Sequence, residues 1–353
     1  MRLRDFQLFL GLLLTCVAPY AQSSRKQHGA TCVTCHEEQA LPQPGTQMAH
    51  AMETTRGNNN VLVAHPSLTF RKGEYSYSVV TRNGHGVYVV SNGTQTVSVP
   101  IFWAMGAQAQ TWVLQRNGNL YESRVSYYPS IQGLDITTGD EQLTPKNIDE
   151  AVGRSIGMDE AKACFNCHAT NAITRHQLDL KSLQPGITCE RCHAGVHAHV
   201  ADMISGSASA PIPQSLGKLA SEDISNFCGQ CHRSWETVLR AHWRGQADVR
   251  FQPYRLANSR CFNGADSRIS CVACHDPHQK VMRDISYYDA KCLACHGEAA
   301  TAGDTSSSRP KACPVAKSRC ATCHMPQISL PNGLLRFTDH QIRVVKPGEP
   351  YPN

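Results

Sequence analysis

The sequence predicts a mixed fold, in which short helices and loops wrap around closely packed prosthetic groups and an antiparallel β-sheet segment is inserted into the chain. Three observations lead to this fold class. The motif Cys-x-x-Cys-His occurs seven times, six of its copies fall between residues 164 and 324, and the stretch between the first two copies alternates as β-strands do. The predicted organisation is a signal peptide (1–21), a first motif-bearing segment (22–59), an antiparallel β segment (60–135) and a motif-rich domain (136–353).

The spacing of the motif has a chemical reason. Two thiols three positions apart can form thioethers with the two vinyl groups of one haem, and the adjacent His then lies under the macrocycle and coordinates the iron. Zinc sites and disulfides are the competing interpretations, but zinc does not need a His after every second Cys. Because only 17 of 353 residues are His, a chance match in all seven copies is not credible.

The sequence therefore predicts seven covalently attached haem c groups. The predicted thioether cysteines are Cys32, Cys35, Cys164, Cys167, Cys189, Cys192, Cys228, Cys231, Cys271, Cys274, Cys292, Cys295, Cys320 and Cys323. The predicted proximal iron ligands are His36, His168, His193, His232, His275, His296 and His324. Because so many motifs in so short a segment leave little room for an apolar core, we expect the haems to supply the buried apolar area there.

The segment between the first two motifs is predicted to be a sheet. From about Tyr75 to Val125 it is rich in β-branched and aromatic residues, and Asn-Gly pairs at 83–84, 92–93 and 117–118 separate the apolar runs. Asn-Gly between apolar runs is a strong hairpin signal, so we expect roughly five antiparallel strands. We expect a scaffold here, or a surface that docks a partner, with no catalytic residue.

The N-terminus predicts export. Arg2 and Arg4 precede the apolar stretch Leu8–Val17, and Ala21 is the preferred cleavage position. This stretch is too short for a comfortable membrane span, so a cleaved signal peptide is favoured over an uncleaved anchor. The mature chain is expected to be periplasmic or secreted, with no transmembrane segment. In such an oxidising compartment Cys261 and Cys313 could form a disulfide, a question that the sequence leaves open.

The charge of the chain is misleading when the haems are left out. The formal net charge is +6, but each haem carries two propionates, so seven haems add about fourteen carboxylates. Many Arg and Lys side chains are therefore interpreted as propionate partners. Since no basic stripe is interleaved with aromatic residues, no nucleic-acid binding is expected.

The ligand on the far side of each iron decides its function. Ten His lie outside the motifs, enough to give every iron a second His, and bis-His ligation closes an iron to substrate. Met48 and Met52 leave Met ligation open for the first haem, and His197 competes with His199. The candidate distal ligands are His50, His65, His176, His199, His242, His278 and His340.

The second half of the chain resembles periplasmic multihaem c-type cytochromes, including those related to the tetrahaem cytochrome c of nitrifying bacteria. The resemblance covers roughly Cys164 to Val345 well and the β segment more loosely. It implies bis-His haems packed in close pairs, with His199, His278 and His340 as distal ligands, and it also favours His65. The matching phrases are Gly186–His193, Asn226–His232, Arg250–Leu256, Cys271–His278, Cys320–Pro326 and Phe337–His340.

Two functions follow from these patterns. The favoured one is a heptahaem electron-transfer protein with closely spaced, mostly bis-His haems, which exchanges electrons with redox partner proteins and needs no catalytic residue. The alternative is a multihaem oxidoreductase with one open iron that acts on a small nitrogen or sulfur oxide. The surplus of His argues against an open iron.

Overall fold

The computed structural model describes residues 32–56, 59–206, 215–297, 313–346 and 348–352. The predicted signal peptide lies outside these residues. The chain divides into two compact units, Met1–Leu41 and Pro42–Asn353. In the first unit, residues 32–35 of the first motif are helical, and a second short helix spans Glu37–Ala40.

The second unit contains a nine-stranded antiparallel sheet, and the predicted fold class is therefore wrong. The strands run in the order β2-β3-β4-β5-β6-β7-β8, with β1 paired to β5 and β9 paired to β7. A sheet of this size is not an insertion in a wrap of helices and loops. The strands are β1 (Met52–Thr54), β2 (Ser67–Lys72), β3 (Tyr75–Arg82), β4 (His85–Ser91), β5 (Thr96–Met105), β6 (Gln110–Arg116), β7 (Asn119–Tyr128), β8 (Gly133–Ile136) and β9 (Gly153–Ile156).

The sheet folds around an apolar core of its own, which is the physical reason for the correction. Alternate residues of β3 and β4 point inward, and Tyr77, Val79, Tyr88 and Val90 are buried there. They pack in one cluster with Trp112, which is fully buried. The argument that haems replace the apolar core rested on the density of motifs, and that density is absent from this segment.

The Asn-Gly pairs lie at the predicted hairpin turns. Asn83 and Gly84 join β3 to β4, and Asn117 and Gly118 join β6 to β7. All four have positive φ, as the twist-matched two-residue hairpin requires. The third pair lies in a longer turn between β4 and β5, where the Asn92 side chain accepts hydrogen bonds from the next residues.

Short helices follow the sheet, and the longest described helices have twelve residues. None of the helices in the described part of the chain has the length and apolarity needed to span a bilayer. Three small two-stranded sheets accompany them, formed by Ala169–Thr170 with Gln184–Pro185, Ile173–Thr174 with Gln177–Leu178, and Gln327–Ser329 with Arg336–Thr338. The helices of the second unit are Asn60–Ala64, Ile148–Val152, Met158–His168, Cys189–Cys192, Val196–Ser205, Ser221–His232, Trp235–Arg240, Gln252–Ala257, Cys271–Cys274, Ile285–His296 and Cys320–His324. Short 3-10 segments span Gln43–Gly45, Leu216–Lys218 and Gln246–Arg250.

Candidate haem-attachment sites and iron ligands

Each of the second to seventh motifs is helical: three lie at the C-terminal ends of longer helices, and the other three form short helices of their own. The helices Met158–His168, Ser221–His232, Ile285–His296 and Cys320–His324 end at the motif His. The two remaining helices, in the third and fifth motifs, end at the second Cys, and the motif His is the next residue.

This placement fits the attachment of haem. In the first, third and fifth motifs the backbone N–H of the His donates to the carbonyl of the first Cys at 2.8 Å, and the three motif His are His36, His193 and His275. This bond spans one helical turn, so the two Cys lie on one side of the turn and the His at its end. The two Sγ atoms of each motif would be the thioether sulfurs of an attached haem c.

Two proximal candidates have their rings fixed by backbone carbonyls. Nδ1 of His168 donates to the carbonyl of Ala51 at 2.8 Å, and Nδ1 of His324 donates to the carbonyl of Arg343 at 2.9 Å. A metal-bound His characteristically donates its other ring N–H in this way. Both rings therefore have Nε2 left for an iron.

Burial favours the neutral form of several of these imidazoles. It lowers the pKa of His168, His232 and His275 below the usual value for His, because the charged ring is disfavoured away from water. Burial also lowers the pKa of His340 to about 4. The neutral imidazole is the form that binds a metal.

Two of the distal candidates lie beside the His of a motif. The ring centroids of His193 and His278 are 6.1 Å apart, and those of His275 and His340 are 6.2 Å apart. A metal–imidazole bond is about 2 Å long, so two imidazoles on opposite sides of one iron have centroids about 6 Å apart. Both pairs therefore have the separation that a bis-His iron requires.

The hydrogen bonds of these rings are consistent with the same geometry. Nδ1 of His278 donates to the Asp276 carboxylate at 3.0 Å, and Nδ1 of His340 donates to the carbonyl of Thr338 at 2.9 Å. Nε2 is the ring nitrogen that these bonds do not use. On the proximal side, the hydroxyl of Tyr288 lies 3.4 Å from Nδ1 of His275.

A cavity of about 490 Å³ lies beside the sheet and is lined by His50 and by Tyr127, the residue that His65 contacts. His50 lines the cavity and donates from Nδ1 to the Glu53 carboxylate at 2.6 Å. His65 is bonded through Nε2 to the hydroxyl of Tyr127 at 3.0 Å, and Tyr127 also lines the cavity. His50 thus has Nε2 left for a metal, whereas His65 would have to give up its bond to Tyr127 before it could use that atom.

The remaining candidates lie in less enclosed places. His176 and His242 are exposed and have positive φ. His176 lies in the two-residue turn between Ile173–Thr174 and Gln177–Leu178, and His242 lies two residues after the helix Trp235–Arg240. His199 is half-buried on the helix Val196–Ser205. On the same helix His197 is exposed and lies 3.4 Å from the Glu190 carboxylate.

Met48 and Met52 are both candidate axial ligands of the first haem, and this structure disfavours Met52. Met52 lies on β1 and is fully buried in an apolar cluster that also contains Met105 and Phe165. A thioether packed in this way is part of the core, and the sheet would have to open before it could bind an iron. Met48 is half-buried and lies in the turn before β1.

The structure brings the second to seventh motifs close to one another. Cys side chains of neighbouring motifs lie near each other, pairing Cys167 with Cys231, Cys228 with Cys271, and Cys292 with Cys320. The helices that carry motifs 2 and 4, 4 and 5, 5 and 6, and 6 and 7 are in contact. The third motif contacts the second, because Nη2 of Arg191 donates to the carbonyl of Asn166 at 3.3 Å, and it also lies near the fourth. The order of proximity is therefore motif 2, 4, 5, 6 and 7, with motif 3 beside motifs 2 and 4.

Cys261 and Cys313 are both exposed, and they are not joined in a disulfide. Within the described residues, no three His, Cys, Asp or Glu side chains converge as a site for a free metal ion. Sequence reasoning missed Glu53, which holds the ring of His50. No local pattern marks it, because the strand β1 that carries Glu53 has only three residues and shows no period.

Comparison with known proteins agrees with the motif chemistry. Residues 136–194, which include the second and third motifs, match the family model described as cytochrome c554 and c-prime. The match supports a c-type cytochrome, a class of proteins that carry covalently bound haem c and typically act outside the cytoplasm. It covers 59 of the 353 residues, and the closer relationship to the tetrahaem cytochrome of nitrifying bacteria stays a prediction. No curated protein and no solved structure gave a match.

Proposed function

We propose that this chain is an extracytoplasmic heptahaem c-type cytochrome that transfers electrons through closely spaced, mostly bis-His haems. The observation that carries the proposal is the pair of separations near 6 Å, of His278 from His193 and of His340 from His275. An iron with two protein ligands has no position for a substrate and acts as an electron relay.

The close approach of the motifs supports the same function. Because the helices that carry neighbouring motifs are in contact, the haems attached to them would be closely spaced. The protein would then supply spacing, axial ligation and the electrostatic field around the propionates, while the haems supply the redox chemistry. Redox partner proteins would give and take the electrons, and the sheet is a candidate docking surface for one of them.

Low-temperature EPR of the fully oxidised protein tests the proposal, with haem stoichiometry measured on the same sample. We expect seven haems for each chain and low-spin signals from all of them. A stoichiometric high-spin signal that shifts when nitrite or hydroxylamine is added would overturn it. The alternative, an oxidoreductase with one open iron acting on a small nitrogen or sulfur oxide, would then take its place.

A further inference from the structure

A buried ion-pair network lies between two of the candidate iron ligands. Asp339 is fully buried and precedes His340. Arg255, which is 2% exposed, donates to both carboxylate oxygens of Asp339, from Nε at 2.9 Å and from Nη2 at 3.0 Å. Arg343 donates to the same carboxylate from Nη1 at 2.5 Å.

The carboxylate is held in its charged form. Burial opposes ionisation, but the hydrogen bonds from Arg255 and from the Gln341 N–H outweigh it and lower the pKa of Asp339. Arg255 also donates to the Gln341 side chain at 2.7 Å, and its guanidinium lies 4.5 Å from the ring centroid of Tyr351. Bidentate Arg–carboxylate pairs fix direction as well as distance.

One end of the network fixes the backbone around His340. The N–H of Asp339 donates to the carbonyl of Pro326, and the carbonyl of His340 accepts from the Ser259 hydroxyl at 3.3 Å. With the Asp339 side chain clamped by Arg255, the residue that follows has little freedom. The ring of His340 is then held 6.2 Å from His275.

The other end fixes His324, the proximal candidate of the seventh motif. Its Nδ1 donates to the carbonyl of Arg343, and the N–H of Arg343 donates back to the His324 carbonyl at 3.2 Å. The Arg343 side chain ties this segment to Asp339. The same carboxylate therefore anchors the supports of both imidazoles.

We propose that Asp339 is a shared positioning residue for two haems, through His340 on the iron of the fifth motif and through His324 on the iron of the seventh. The inference rests on the proposed function, since it takes both His as axial ligands. Its consequence is specific: neutralising one carboxylate alters the coordination of two haems together.

The variant Asp339→Asn tests this, because it keeps the size of the side chain and one acceptor oxygen while it removes the charge. EPR of the oxidised holoprotein should show two altered haem signals. The signal lost in His340→Ala identifies one of them, and the other should be absent from a Cys320→Ala/Cys323→Ala variant. Asp266→Asn, which breaks the pair of a half-buried carboxylate with the exposed Arg268, is the control and should leave every signal unchanged.

Two further variants separate the ends of the network. Arg255→Gln should alter chiefly the haem of His340, and Arg343→Gln should alter chiefly the haem of His324. Arg343 is 14% exposed, so its variant provides a test even if Asp339→Asn does not accumulate. A lower urea midpoint with an unchanged EPR spectrum in these variants would make the network merely structural and overturn the inference. A high-spin signal in the unmutated protein would instead contradict the proposed function.

Discussion

At the scale of single residues, the ring nitrogen that a His leaves unused decides whether it can serve an iron. His278 and His340 are hydrogen-bonded through Nδ1, whereas His65 is bonded through Nε2 to Tyr127. Iron ligation through Nε2 is therefore compatible with the first two rings as they stand. It is compatible with His65 only after a rearrangement.

The variant His278→Ala should convert one low-spin haem to a high-spin haem, because it removes the imidazole opposite His193. Covalent attachment should persist, since it depends on the cysteines of the motif. EPR measures the spin state, and the mass of the intact protein measures attachment. His85→Ala is the control, because this exposed residue lies at the start of β4. An unchanged low-spin count in His278→Ala would remove His278 from the ligands.

Sequence reasoning could nominate these ligands but not assign them to irons. His278 follows its own motif closely, so its candidacy could be argued locally, whereas its neighbour in the structure belongs to the third motif. His340 lies beside His275 because contacts such as that of Arg255 with Asp339 hold the C-terminal segment against the helix Gln252–Ala257. Such a return of the chain leaves no trace in spacing or periodicity.

At the scale of the elements, the sheet was predictable where turns and alternation coincide. The Asn-Gly turns fixed β3, β4, β6 and β7, but β1 and β9 have three and four residues and show no period. Their pairing depends on tertiary contacts. The pairing of β9 with β7 depends on Gly153, because its φ is 149° and an added Cβ would lie 2.0 Å from the carbonyl oxygen of Glu122 on β7.

The variant Gly153→Ala should therefore force β9 away from β7. A side chain in this backbone conformation costs about 1–3 kcal/mol in the free energy of unfolding, and the contact with Glu122 adds to it. Urea unfolding followed by far-UV circular dichroism measures the loss. Gly157→Ala is the control, because an added Cβ there meets no atom within 4 Å. Equal stability of the two variants would show that the approach of β9 to β7 does not depend on Gly153.

At the scale of the whole molecule, the order of the motifs in space differs from their order in the chain. Motif 4 lies beside motif 2 at Cys231 and beside motif 5 at Cys228. Motif 3 contacts motif 2 through Arg191, and its His193 lies beside His278, which follows motif 5. Electrons that pass between motif 2 and motifs 5 to 7 would therefore cross the haem of motif 4 or that of motif 3.

Removing the haems of motifs 3 and 4 together should break both routes, whereas removing that of motif 3 alone should not. In a Cys261→Ser background, a ruthenium photoreductant attached to the exposed Cys313 would deliver electrons near motif 7. In the Cys189→Ala/Cys192→Ala/Cys228→Ala/Cys231→Ala variant, only the haems of motifs 5 to 7 should be reduced in the fast phase, because the haem of motif 2 is then too distant. Cys189→Ala/Cys192→Ala is the control, and its fast phase should be smaller than that of the unmutated protein by one haem only. A fast phase in the four-cysteine variant that still includes the haem of motif 2 would mean that electrons reach motif 2 without passing motif 3 or motif 4.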